Sequence, residues 1–92
     1  MTDEPVEVPI EDELDLHPFR PKEIKDVVAS YIEAALERGF TEVRLIHGRG
    51  IGAQRRIVRS LLARHPQVVD FSDAPPPAGW GATVVRLDPD RR

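Results

Sequence analysis

The stretch EVRLIHGRGIGAQRRIVRSLL, residues 42–62, changes period in its middle. Residues 42–47 read as a strand. Ile57, Val58, Leu61 and Leu62 recur at the spacing of one helix face. Between them stand Gly48, Gly50 and Gly52, which let the backbone turn sharply, so the helix is expected to start near Ala53. A strand that runs straight into a helix is the repeating unit of α/β folds.

The flanking segments extend the same pattern. Upstream, LDLH at 14–17 alternates apolar and polar residues and reads as a short strand. Pro18 and Pro21 end it, and Pro21 suits the first position of a helix. Ile24, Val27, Val28, Tyr31, Ile32, Ala35 and Leu36 form one apolar stripe, closed by Gly39. Downstream, Pro66 ends the second helix. VVDF at 68–71 is a third strand, residues 72–81 a loop and ATVVRL at 82–87 a fourth strand. The order β-α-β-α-β-β predicts an α/β fold, a compact two-layer or three-layer sandwich on a mixed, mostly parallel four-stranded sheet. In this layout the first strand lies inside the sheet beside the second, and the last two strands are antiparallel.

Ninety-two residues make one domain with a modest core. Without cysteine there is neither a disulfide framework nor a thiolate metal site, which fits a reducing, cytoplasmic location. No apolar run is long enough to span a membrane. The first residues are acidic and contain two prolines, unlike a signal peptide. The net charge of −3 is unevenly spread, with six acids and no base in residues 1–13. That segment reads as a flexible acidic tail, residues 14–88 as the domain and 89–92 as a short C-terminal tail. The remainder is mildly basic, which suits either a polyanion partner or an ordinary solvated surface.

In sheets of this kind, ligands bind beyond the carboxyl ends of the strands. That edge would collect Asp15, His17 and His47, with Gly48, Arg49, Gly50 and Gly52 leading to the free amides of the second helix. Such a turn suits a phosphate, although its G-x-G-x-G spacing matches neither the dinucleotide fingerprint nor the P-loop. His17 and His47 could serve as general acid and base or simply bond to loop carbonyls, and the residues do not divide those roles. Asp15 could orient an imidazole or hold a divalent cation, Mg²⁺ or Mn²⁺. No spacing diagnostic of zinc is present. Arg55 and Arg59 share a helix face expected to lie opposite the apolar stripe, where they could follow a nucleic-acid backbone; Arg56, Arg44 and Arg20 extend the patch. Trp80, between Gly79 and Gly81, could stack on a base or anchor its loop.

Taken together, LDLH at 14–17, VRLIHGRG at 43–50 and AGWGATVVRL at 78–87 resemble the Smr (small MutS-related) domain family, in the right order and over about residues 14–88. The resemblance implies a compact α/β sandwich that binds DNA or RNA. For several members it also implies endonuclease activity linked to DNA repair, recombination or RNA processing. It carries over to Asp15 and His17, to His47, Gly48, Arg49 and Gly50, and to Gly79, Trp80 and Gly81. Two positions depart from the family pattern: Pro18 and Ala78 stand where glycine is usual. The expectation is a nucleic-acid-binding domain that hydrolyses phosphodiester bonds, with Arg49 and the loop amides holding the phosphate. The alternative is a non-catalytic binding module acting with a partner protein. A monomer is expected in either case.

Overall fold

The computed structural model describes residues 10–48, 52–77 and 79–91. The elements are β1 (Glu13–Asp15), α1 (Pro21–Glu37), β2 (Glu42–Ile46), α2 (Ala53–Arg64), β3 (Val68–Asp73) and β4 (Ala82–Leu87). A 3₁₀ turn, Gly79–Gly81, precedes β4. This is the expected order, with β3 running two residues further than its apolar core suggested.

The sheet order is β1-β2-β4-β3. β1 pairs parallel with β2, and β4 runs antiparallel to both β2 and β3. Three strands therefore share one direction, but only the β1–β2 ladder is parallel. The first strand lies beside the second as expected, yet at an edge of the sheet rather than inside it. Its three residues include exposed Glu13 and Asp15, which suit a strand with one neighbour. β4 takes the centre because Ala82, Thr83, Val85 and Leu87 are all buried.

Both helices pack on the same side, giving two layers. Ile24, Val28, Tyr31, Ile32 and Ala35 of α1 and Val58 and Leu62 of α2 close one core with Val43, Leu45, Val85 and Leu87. Val43 stands opposite Val85, and Phe71 of β3 opposite the same residue, so the buried positions align across three strands. The other side carries Glu42, Arg86 and Asp70 in one row. There the Arg86 guanidinium grips Asp70, with its Nε 2.8 Å from Oδ1.

Local chemistry sets the ends of α1. Pro21 occupies its first turn, and the Glu23 carboxylate accepts the Arg20 N–H at 2.9 Å. At the far end Gly39 adopts φ +78, which a side chain would resist. Phe40 N–H donates to Ala35 O and Gly39 N–H to Leu36 O, each at 3.0 Å, the paired bonds of a Schellman cap.

The body begins before the tail boundary expected at residue 13. Ile10 packs against the core. Tyr31 Oη donates to Glu11 O at 2.5 Å, and Arg44 N–H donates to Asp12 O at 2.8 Å. Burial, with the Asp12, Glu13 and Glu11 carboxylates nearby, pushes the Tyr31 phenol up to about 12.

Leu45 is fully buried and Val69 is exposed. Urea unfolding should show Leu45→Ala losing about 2–5 kcal/mol, and Val69→Ala changing stability by less than about 0.5 kcal/mol.

Candidate functional site at the strand tips

All three sequence blocks meet at one end of the sheet. Just past β1, the His17 backbone N–H donates to Asp15 Oδ1 at 2.9 Å. The His17 ring Nδ1 lies 2.6 Å from the same oxygen. The first bond is the local turn that an aspartate makes with its chain two residues on, so the pair is built into the sequence D-x-H. These bonds, the backbone one foremost, hold the Asp15 carboxyl below the usual carboxylate range. The His17 side chain stays 59% exposed. Pro18, where the family usually has glycine, fits within a turn closed by Phe19 N–H donating to Leu16 O at 3.1 Å.

Gly48 receives that ring. Its φ is +79, and a Cβ built on it would stand 2.7 Å from His17 Nε2. The backbone conformation favours glycine here, and the missing side chain leaves the His17 ring its place. The third block is tied to the second through the main chain. Gly48 N–H donates to Gly81 O at 2.8 Å, and His47 N–H donates to the same oxygen at 3.2 Å.

The two histidines differ in kind. His47 is 5% exposed. Its Nδ1 donates to Gly48 O and its Nε2 meets Thr83 Oγ1, both at 2.9 Å. A carbonyl can only accept, so Nδ1 carries the proton, and in the neutral ring the threonine hydroxyl donates to Nε2. Burial pushes the imidazole pKa down, and Arg55 and Arg59 add to the shift against Gly48 O and Asp73. With both nitrogens hydrogen-bonded and the ring 5% exposed, His47 ties the turn after β2 to β4.

Arg55 and Arg59 depart from expectation. Their face of α2 lies against β3 rather than away from the core. Arg55 Nη2 donates to Asp73 Oδ1 at 2.8 Å and Arg59 Nη2 to the same oxygen at 2.5 Å. The Arg59 guanidinium also sits 5.4 Å from the Phe71 ring centroid. Asp73, held below the usual carboxylate range chiefly by its Arg55 bond, engages both guanidinium groups within the fold. Sequence reading missed both Asp73 and Thr83. Their signals were a hydroxyl at a core-facing strand position and an acid at the end of a strand facing an arginine row.

Gly52, at φ +80, precedes α2 and caps it without a side-chain bond, leaving first-turn amides of the helix to other partners. Arg49 and Gly50 lie outside the described residues, as does the side chain of Trp80. Among the described residues no group of three or more His, Asp or Glu could hold a metal. Among the described residues, Asp15, its Oδ1 engaged by His17, is the carboxylate of the expected site that could hold Mg²⁺ or Mn²⁺.

A two-layer α/β sandwich whose strand tips gather D-x-H, His-Gly and a glycine turn defines a small class of domain. The chain belongs to the Smr domain family, whose profile matches residues 14–88. It is similar to the crystal structure of the Smr domain of Thermus thermophilus MutS2, with TM-score 0.79 and 40% identity, covering 83% of this chain and 96% of that one. It is also similar to YdaL, a stand-alone small MutS-related protein from Escherichia coli, with TM-score 0.72, 32% identity and coverage of 86% and 66%. Among curated relatives, the endonuclease MutS2 of Helicobacter pylori is 41% identical over 75 residues, 80% of this chain. That of Halalkalibacterium halodurans is 42% identical over 79 residues, 85% of this chain. The chain spans about a tenth of the length of these MutS2 proteins.

Two outcomes follow from His47. An imidazole whose pKa is lowered by folding contributes stability that is present above its unfolded value of 6.5 and is lost as pH falls through the folded one. Urea midpoints should therefore fall between pH 7.5 and 5, and His47→Gln should flatten that slope. An equal slope in the variant would contradict the assignment. Thr83→Val leaves the buried Nε2 without its donor and should cost about 1–3 kcal/mol at pH 7.5.

Proposed function

We propose that the chain binds nucleic acid at these strand tips and hydrolyses a phosphodiester bond there. The observation that carries this reading is the exposed Asp15–His17 pair, with its ring seated on Gly48 beside the start of α2. Because Asp15 accepts the Nδ1 proton, a neutral His17 keeps its lone pair on Nε2, the nitrogen that faces the glycine turn. A phosphate held against that turn would lie next to Nε2. There His17 takes a proton from the attacking water as the new P–O bond forms. The leaving oxygen departs with a proton from solvent. Amides of the first α2 turn, at the positive end of the helix, stabilise the charge that builds on the phosphate oxygens. A divalent cation, if bound, would be held by Asp15 and would supply further charge stabilisation. The relatedness to endonuclease MutS2 supports the same reaction class.

The test is cleavage of labelled branched DNA, single-stranded DNA and structured RNA, with and without Mg²⁺ or Mn²⁺. His17→Ala should lower the rate by about 10²–10⁴-fold while binding persists, and Asp15→Asn should lower it by disturbing the ring tautomer. Wild-type binding without cleavage of any substrate would leave a binding module in place of the enzyme. Equal rates in wild type and His17→Ala would remove His17 from the chemistry.

A further inference from the structure

α2 carries four arginines and no acid. Asp73 pairs with both Arg55 and Arg59, the two that face β3. Arg56 and Arg64 face away from it and meet Lys25 of α1 across a furrow of about 370 Å³. Half-buried Ile57 and Leu61 line the furrow, with Ser60 at its side. Among the described residues, Lys25, Arg56 and Arg64 form no ion pair, although α1 carries Glu23, Asp26, Glu33 and Glu37.

We propose that this furrow is the track on which a nucleic-acid strand lays its phosphate backbone as it leaves the Asp15–His17 site. The proposal rests on the nucleic-acid reading above. Three arguments support it. First, the furrow opens at the helix ends nearer the site: Lys25 stands in the second turn of α1, which follows the Asp15–His17 turn, and Arg56 stands in the first turn after Gly52. Second, its charges are spread out. Arg56 and Arg64 are eight residues apart, about 12 Å along the helix, a spacing that suits successive phosphates of a polyanion rather than one small anion. Third, the reverse side of the sheet carries Asp12, Glu13 and Glu42 against Arg44, with Asp70 paired to Arg86, a net negative surface that disfavours a phosphate backbone there. Ile57 and Leu61 give sugar rings an apolar surface between the charges.

The test is fluorescence anisotropy of the full chain with labelled single-stranded and duplex oligonucleotides over roughly 50–200 mM salt. The variant Lys25→Gln/Arg56→Gln/Arg64→Gln should reduce the slope of log affinity against log salt by about 2–3 units, at about 0.7–0.9 per phosphate contact. The control Arg38→Gln/Arg91→Gln should keep the wild-type slope. The charge-preserving variant Lys25→Arg/Arg56→Lys/Arg64→Lys should keep it too, which separates lost contacts from a damaged fold. Where wild type cleaves, the glutamine variant should raise KM and leave kcat unchanged. A wild-type slope in the glutamine variant, or an equal drop in the control, would overturn the track while leaving the strand-tip site standing. Absence of any wild-type binding would remove both proposals together.

Discussion

The arrangement of the candidate site turns on one close approach, an imidazole resting on an α-carbon. Nothing larger than hydrogen fits on residue 48 without meeting His17 Nε2. That contact joins the tip of an edge strand to the tip of its neighbour, and Gly81 O fastens the same glycine to the turn before β4. Blocks far apart in the chain are thus brought within hydrogen-bonding distance of one another. Asp15 holds the ring from one side and the glycine receives it on the other, so its orientation is settled before any ligand arrives.

The sheet order explains why neighbouring histidines behave so differently. β2 lies between β1 and β4. His47 continues the side of Val43 and Leu45 and is covered there, whereas His17 follows an edge strand and stays open to solvent. Burial then does the chemical sorting, favouring an uncharged ring at 47 and leaving the solvent-facing one able to exchange protons. The arginines of α2 are sorted in the same way. Those on the β3 side find a carboxylate within the fold, and those on the outer side do not. Charge remains available on one helical surface, while the uncovered sheet surface is dominated by acids and their internal pairs.

Much of the architecture is legible in the sequence because it is local. A period of two gives way to 3.6 at the glycines after residue 47. Pro21, Gly39 and Pro66 mark helix ends through backbone rules that need no distant partner. The Asp15–His17 pair is legible for the same reason, since its partners are two residues apart. The central place of β4 is not, because strand pairing is decided by which side chains many residues away need covering. The partners of His47, Arg55 and Arg59 are hidden from the sequence for one reason. Each depends on a partner supplied by β3 or β4, Thr83 in one case and Asp73 in the other, and no spacing along the chain announces such a partner.

The central claim is that the His17 ring lies on Gly48 with its Nδ1 protonated toward Asp15. Proton NMR of the full chain, with ¹⁵N labelling to read the imidazole tautomer, tests both halves at once. The account predicts nuclear Overhauser contacts between the His17 ring protons and the Gly48 α-protons, and an Nδ1–H tautomer in the neutral ring. Absence of those contacts, or an Nε2–H tautomer, would contradict it.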